Sequence, residues 1–316
     1  MMELKQFIKE EGSRLGFLKT GVAAAEYDPV HHDKLLNWIK NRYHASMGYL
    51  ERETRKRFDP RIHLPDASSV IVCGHNYYTD PTNDPESGYV SIYARGEDYR
   101  IVLEEKLKEL CGRIANKYGK FNFRIFVDTS PISEKTLAVK AGLGFIGRNS
   151  LVIIPKFKIN GSIYKGSFHF LGVIVTDLRL EPDEPVKGTC GKCRRCIDSC
   201  PTGAILEDCT IDAIKCISYH TTSNRGEIPE DIAAKMNNIV IGCDICQLTC
   251  PYNNKPVETS DTRFIAKDFL SKFDIGAFLN MTEQQFNRQF RDTVLYDKGF
   301  EKIRAHALIV SRNIGR

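Results

Sequence analysis

Apolar residues recur at helical spacing in "LKQFIKEEGSRLGF" and "HDKLLNWIKNRY", and again through "YRIVLEEKLKELCGRIANKYG", which reads as one long amphipathic helix. Among them, "SSVIVCGHNYY", "GYVSIYA" and "FNFRIFVDTS" are runs rich in β-branched and aromatic residues and predict strands. "PISEKTLAVKAGLGFIGRNSLVI" predicts a helix beginning at Pro131 or Ser133, with apolar Leu137, Val139 and Ala141, then a glycine-punctuated turn into a strand. "GSFHFLGVIVTDLRL" is a further strand-rich stretch, closed by the turn-forming "EPDEPVKG". The alternation predicts an α/β domain over residues 1–175. Helical periodicity returns after residue 256, with Thr282 and Gln285 spaced as a capping box and "KIRAHALIVSRNIGR" as a last helix. Residues 257–316 therefore read as a C-terminal helical segment. Between the two, over residues 176–256, the hydrophobic pattern gives way to cysteines.

Composition narrows the setting. A chain of 316 residues is too long for a cluster domain alone and fits two or three domains. Hydrophobic content of 42% and charged content of 27% are ordinary for a globular protein. No apolar run is long enough to span a bilayer, and "MMELKQFIKEEG" carries neither a signal peptide nor a twin-arginine signal. These features point to the cytoplasm and away from a membrane. The net charge of +5 suits a polyanionic partner without establishing one. The basic bias is sharper in "ERETRKRFDPR" and in the tail, at Arg304, Arg312 and Arg316, where a solvated charged face is an equally good reading.

The middle region carries the chemistry. Cys190, Cys193, Cys196 and Cys200, with Pro201 behind them, spell C-x-x-C-x-x-C-x-x-x-C-P, the run with which bacterial ferredoxins hold 4Fe-4S clusters. Cys243, Cys246 and Cys250, followed by Pro251, repeat all but its leading cysteine, so two clusters are expected. In two-cluster ferredoxins the fourth cysteine of a run crosses to the other cluster. Cys190, Cys193, Cys196 and Cys250 then fall on one cluster, and Cys200, Cys243 and Cys246 on the second. The eighth thiolate is Cys209 or Cys216, and spacing does not choose between them; the other is a buried thiol acting as a small hydrophobe. A disulfide framework would need an oxidising compartment. Tetrahedral zinc does not account for a C-x-x-C-x-x-C triplet with a distant fourth ligand and a proline after each run.

Clusters in a short domain pass single electrons and bind no organic substrate themselves. The N-terminal region must then hold the electron sink or the substrate. A reductase with a second cofactor, an electron-transfer subunit and a cluster-bearing nucleic-acid-binding module all remain open on residues alone. "GLGFIG" places Gly142, Gly144 and Gly147 as G-x-G-x-x-G, but after a helix and before a strand, the reverse of a dinucleotide fingerprint. Bare backbone approaching a bulky ligand, or turning through positive φ, is the better reading. Asp128 ends a strand run, where α/β folds place functional groups. A semi-apolar pocket beside a large cofactor would make it a proton donor near neutral pH. In the competing reading, Asp128, Thr129 or Ser130 caps the following helix.

Six blocks taken together resemble the epoxyqueuosine reductases: "MGYLERETRKRFDPR", "YARGEDY", "VDTSPISEKTLAVKAGLGFIGRNSLVI", "CGKCRRCIDSCPTGAI", "KCISYHT" and "GCDICQLTCPYN". They occur in the family's order, and the resemblance covers the chain from about Leu15 to the last helix. The cysteine runs are shared with many proteins, whereas the block from "VDTSP" to "GRNS" and "KCISYHT" are far more specific. The resemblance implies a cobalamin-binding, flavin-reductase-like α/β domain followed by a bacterial ferredoxin-like domain with two 4Fe-4S clusters. It implies that Cys216 of the "CIS" motif is the eighth ligand, leaving Cys209, Cys73 and Cys111 as structural thiols. Asp128 matches the family's catalytic acid. Arg57, Tyr93, Asp128, Val152, Leu171, Ser218, Gly242 and Asp244 fall in segments that surround the corrin.

The implied reaction is reduction of epoxyqueuosine to queuosine at the wobble position of transfer-RNA anticodons. Electrons from an external low-potential donor pass through the clusters to cobalt, and Asp128 protonates the epoxide oxygen. A base in an anticodon loop must be presented splayed out, and such sites pair basic side chains with aromatic stacking partners. Arg55, Lys56, His220 and Arg225 are the candidates, and a monomer is expected. Reductive dehalogenases share cobalamin, two clusters and this domain order, but export with a twin-arginine signal and use a tyrosine-based acid. The chain departs from the family pattern at Ile92 and Arg100, where arginine and histidine are common. It also stops where many members continue into a helical-repeat extension, which reads as a short form with lower RNA affinity or no need of the extension.

Overall fold

Val70, Ile71, Val72 and Cys73 are all fully buried, because the strand that carries them is covered on both faces. The structure is a computed structural model that describes residues 2–81, 84–128, 131–159 and 161–315. Its first half runs α1 (Met2–Arg14), β1 (Lys19–Ala24), α2 (Pro29–Lys40), β2 (Ser69–Asn76), β3 (Tyr89–Val90), α3 (Tyr99–Tyr118), β4 (Phe123–Phe126) and α4 (Glu134–Lys140). Strands β5 (Phe145–Ile146), β6 (Val152–Ile159), β7 (Ser162–Gly166) and β8 (His169–Thr176) follow, and β9 (Ile239–Ile241) comes later. Four strands form one sheet in the order β1-β2-β8-β4, and every pair in it is antiparallel.

The alternation along β2 sorts its side chains between two cores. Ile71 and Cys73 pack with Ile8 of α1 and Leu103 and Leu107 of α3, while Val70 and Val72 pack with Leu137 and Ala138 of α4. Each such side chain contributes about 1.5–3 kcal/mol by leaving water. On β8, Gly172 lets α3 come close: a Cβ there would stand 2.7 Å from Leu107 Cδ1. Helix α3 starts at Asp98, whose carboxylate accepts the Arg100 N–H, and ends at Gly119 with φ 92, a left-handed position that favours glycine.

Several sequence expectations change here. "GYVSIYA" makes a strand only over Tyr89–Val90, paired in parallel with β9. The Asp244 carboxylate takes the Ser91 hydroxyl at 2.6 Å and the Ile92 N–H at 2.8 Å, and the chain continues as a 3-10 turn. Two glycines of "GLGFIG" approach the chain's own backbone, and Gly142 turns through positive φ. A Cβ on Gly144 would lie 2.2 Å from the Ile153 carbonyl oxygen, and one on Gly142 (φ +69) 2.5 Å from that of Glu184. The N-cap of α4 is Ser133, so Asp128 is not a helix cap; Thr129 and Ser130 lie outside the described residues, as does Arg316.

The C-terminal helices share a core with the rest of the chain. Phe278, Phe286, Phe290, Ile303 and Val310 pack with Tyr89 and Val90 of β3, Ile217, and Ile239 and Ile241 of β9. That core brings together residues from all three sequence regions. The capping box at Thr282 and Gln285 is present in full.

Candidate active site

Helix α2 has no buried residue, yet its sequence has a clear apolar stripe. Two of its apolar residues, Leu35 and Trp38, border a cavity of about 1290 Å3, with Phe170 and Leu171 on another side and residues between Cys200 and Gln247 on a third. This volume exceeds the roughly 300–1,000 Å3 of ordinary small-molecule sites. The α2 side is tied across to the cysteine region. Trp38 Nε1 donates to the Ile211 carbonyl at 2.7 Å, the Ala213 N–H donates to the Tyr43 carbonyl at 2.9 Å, and the Ser46 and Tyr219 hydroxyls meet at 2.6 Å.

Asp128 stands on this cavity, just beyond the end of β4. The sheet is antiparallel, so the strand-end crevice of parallel α/β folds does not explain its position; local contacts do. Its backbone is left-handed, with φ 56, a conformation that aspartate tolerates better than most residues. Its N–H donates to Glu134 Oε1 at 2.6 Å, and its carboxylate accepts from the Tyr99 hydroxyl. Tyr99 is stacked on Phe170 with ring centroids 4.3 Å apart and planes at 8°. Burial, then the nearby Asp128 charge, push the Tyr99 phenol well above its ordinary range, so it stays a hydrogen-bond donor. Burial also raises the Glu134 carboxyl to about 8 and lowers the Lys135 ammonium. Both side chains border the cavity.

The thiols separate into two sets. Cys190, Cys193, Cys196 and Cys250 line a small cavity of about 130 Å3. Cys200, Cys216, Cys243 and Cys246 all border the large one, and charge on Cys216 and Cys200 acts on Cys243. Burial pushes the Cys243 thiol up to about 12 and the Cys216 and Cys246 thiols upward too. Thiolates in that setting need a cationic partner to form. Cys209 also borders the large cavity, but its Sγ meets Arg148 Nη1 at 4.0 Å. Cys73 and Cys111 are buried in the sheet and helix core.

Of the residues expected around the corrin, Tyr93, Asp128, Leu171, Ser218 and Asp244 border the cavity. Arg57, Val152 and Gly242 are not among its lining residues. Val152 is packed in the β2–α4 core, and the Gly242 N–H donates to Thr221 Oγ1 at 3.0 Å. Arg57 lies over the Tyr49 ring at 5.8 Å while its carbonyl takes the Ser133 N–H. Asp244 is spent on Tyr89, Ser91 and Ile92, so it joins β3 to the cysteine region. Among the RNA candidates, His220 is corrected. It is buried, with Nε2 on the Ile214 carbonyl at 2.7 Å and Nδ1 beside Asn224 at 3.3 Å, and offers no face to a nucleic acid. Arg225 is exposed, Arg55 lies over the Tyr27 ring at 4.8 Å, and Lys56 pairs with Glu53 at 3.2 Å. Arg100, at a departure from the family pattern, pairs with Asp98 and Asp297, and Ile92 is buried.

Sequence reasoning assigned no role to Tyr99, Glu134 or Lys135. All three lie inside quoted blocks, "YARGEDY" and "PISEK", but only the fold brings them to Asp128.

Residues 189–253 match the family model described as "4Fe-4S double cluster binding domain". A double-cluster domain together with a cavity sized for a large cofactor defines an iron–sulfur redox enzyme. Residues 57–129 match the model "Epoxyqueuosine reductase QueG, DUF1730". Over 293 residues the chain is 41% identical to the epoxyqueuosine reductase of Cyclobacterium marinum, covering 92% of this chain and 91% of that protein. The chain belongs to the epoxyqueuosine reductase family. A crystal structure of epoxyqueuosine reductase with a tRNA-Tyr epoxyqueuosine-modified stem loop is 27% identical, with a TM-score of 0.90 over 99% of this chain and 82% of that one. A Bacillus subtilis epoxyqueuosine reductase, 26% identical with a TM-score of 0.89 over the same shares, has its catalytic aspartate loop swung out of the active site. Among the described residues no helix is long and apolar enough to cross a membrane.

Proposed function

We propose that this chain reduces epoxyqueuosine in transfer RNA to queuosine, the last step of queuosine biosynthesis. The observation that carries the reading is that Asp128 and the second thiol set border the same large cavity. Overall, the epoxide takes up two electrons and two protons, the carbon–oxygen bonds break, and a cyclopentene and water leave.

Cobalamin, a large ring with many amide groups, fits this cavity in size and in its mixed lining, where apolar Leu35, Ile146, Phe170, Leu171 and Ile217 stand among many polar side chains. Tyr93, Leu171 and Ser218 are the side chains that would hold it. When bound, it supplies the low-potential cobalt chemistry that opens the epoxide. The two thiol sets are soft donors suited to iron–sulfur clusters: Cys190, Cys193, Cys196 and Cys250 for an outer one, Cys200, Cys216, Cys243 and Cys246 for an inner one. Held there, the clusters would supply single-electron transfer from an external donor, the outer one as entry and the inner one beside the cavity.

The rest falls to the chain's own groups. Asp128 gives a proton to the epoxide oxygen as the ring opens. The Tyr99 hydroxyl fixes the carboxylate through its hydrogen bond, and Tyr99 is itself held by Phe170. The α2 strap and the exposed Arg55 and Arg225 form the approach for a splayed-out anticodon loop, with Lys56 beside them.

The test is nucleoside mass analysis after incubating the anaerobically reconstituted protein, cobalamin and a strong reductant with transfer RNA carrying epoxyqueuosine. Cobalamin-dependent conversion to queuosine supports the reading. Bound cobalamin and intact clusters without conversion would sink it.

A further inference from the structure

Asp128 is gripped at two points. Its carboxylate meets Tyr99, and its backbone N–H meets Glu134 Oε1 at 2.6 Å. The second contact sits on a rigid element. Glu134 is the first residue of α4, whose Leu137 and Ala138 are buried in the core against β2. The turn before it is tied down by the Ser133 N–H on the Arg57 carbonyl at 2.7 Å and by His63 Nε2 on the Pro131 carbonyl at 3.2 Å. Asp128 itself is left-handed, φ 56, a conformation that persists only where surrounding contacts impose it. In the Bacillus subtilis relative the corresponding loop has a second position, out of the active site.

We propose that Glu134 is a positioning residue that latches Asp128 into the cavity by accepting its backbone N–H. The inference rests on the reading of Asp128 as the proton donor. An acceptor oxygen is all the latch needs, and a charge is not. Glu134→Gln therefore keeps it, and Glu134→Ala removes it while leaving the Tyr99 contact available.

The experiment compares both variants with the parent chain, each reconstituted with clusters and cobalamin. Glu134→Ala should lower kcat by ~10–100-fold, the cost of a misplaced reacting group, with KM for transfer RNA within ~2-fold. Glu134→Gln should stay within ~3-fold of the parent in both. The second readout is cleavage before Asp128 by an aspartate-specific protease under native conditions. Loss of the latch should speed it by about 10-fold or more in Glu134→Ala only, because such cutting follows local opening. Parental kcat and cleavage in Glu134→Ala would overturn the latch, as would Glu134→Gln as impaired as Glu134→Ala. If no variant, parent included, converts epoxyqueuosine yet cleavage still differs as stated, the functional reading falls and the latch stands.

Discussion

The two cysteine runs share nearly the same spacing, but the two thiol sets to which they contribute occupy different surroundings. Cys190, Cys193, Cys196 and Cys250 surround a small cavity near exposed residues such as Lys192 and Arg194. Cys200, Cys216, Cys243 and Cys246 border the large cavity that Asp128 also borders. In the proposed route the first set would be the entry for electrons and the second their delivery point. What distinguishes them is the tertiary setting, in which Asp244 pins Cys243's neighbourhood to β3 through Tyr89, Ser91 and Ile92.

The strongest way to break that contrast is at the inner set. Cys216→Ala should lose one cluster, taking iron from about eight to about four per chain, and should abolish turnover; retained iron and activity would remove Cys216 from the set. Asp128→Asn comes next. Asparagine tolerates the left-handed backbone but cannot supply the proton, so kcat should fall by about 10²–10⁴-fold with both clusters and cobalamin still bound.

Stability effects are smaller. Gly144→Ala sets a methyl against the Ile153 carbonyl and should cost about 1–3 kcal/mol in denaturant unfolding, whereas Gly119→Ala, with no atom within 4 Å of the added Cβ, should cost only the strain of its positive φ. Glu134 adds a pH dependence. Its carboxyl is raised from 4.5 to about 8 by burial, against the pull of the Asp128 N–H bond, so between those values the folded chain keeps a proton that the unfolded chain releases. The associated stabilisation is full below about 4.5 and is lost as pH rises through about 8. Unfolding at pH 6 and pH 9 should differ by on the order of 2 kcal/mol from this group, after allowance for water reaching the cavity, and Glu134→Gln should remove that difference. Cys209→Ala should be the mildest change, with iron content and turnover at parental levels. A loss of iron there would move the eighth ligand from Cys216 to Cys209.

Cysteine spacing announces clusters because iron–sulfur ligation constrains chain position directly. Asp128 could be singled out as an acid but not placed, since a left-handed residue held by Glu134 and Tyr99 leaves no periodic trace. His220 misleads in sequence for the opposite reason: "SYHT" gives no sign that both ring nitrogens are used internally. The apolar stripe of α2 was legible as a helix, but what it faces was not. A stripe over a cavity and a stripe over a core have the same period. The glycines of "GLGFIG" signalled close approach, and the fold places Ile153 against Gly144 and Glu184 against Gly142.

In the proposed route the inner set would deliver electrons into the cavity. Electron paramagnetic resonance of the chain carrying reduced clusters and paramagnetic cob(II)alamin reads it directly. The account predicts spin coupling between cobalt and a cluster in the parent chain, lost in Cys216→Ala. Two uncoupled signals in the parent, with cobalamin bound, would contradict it.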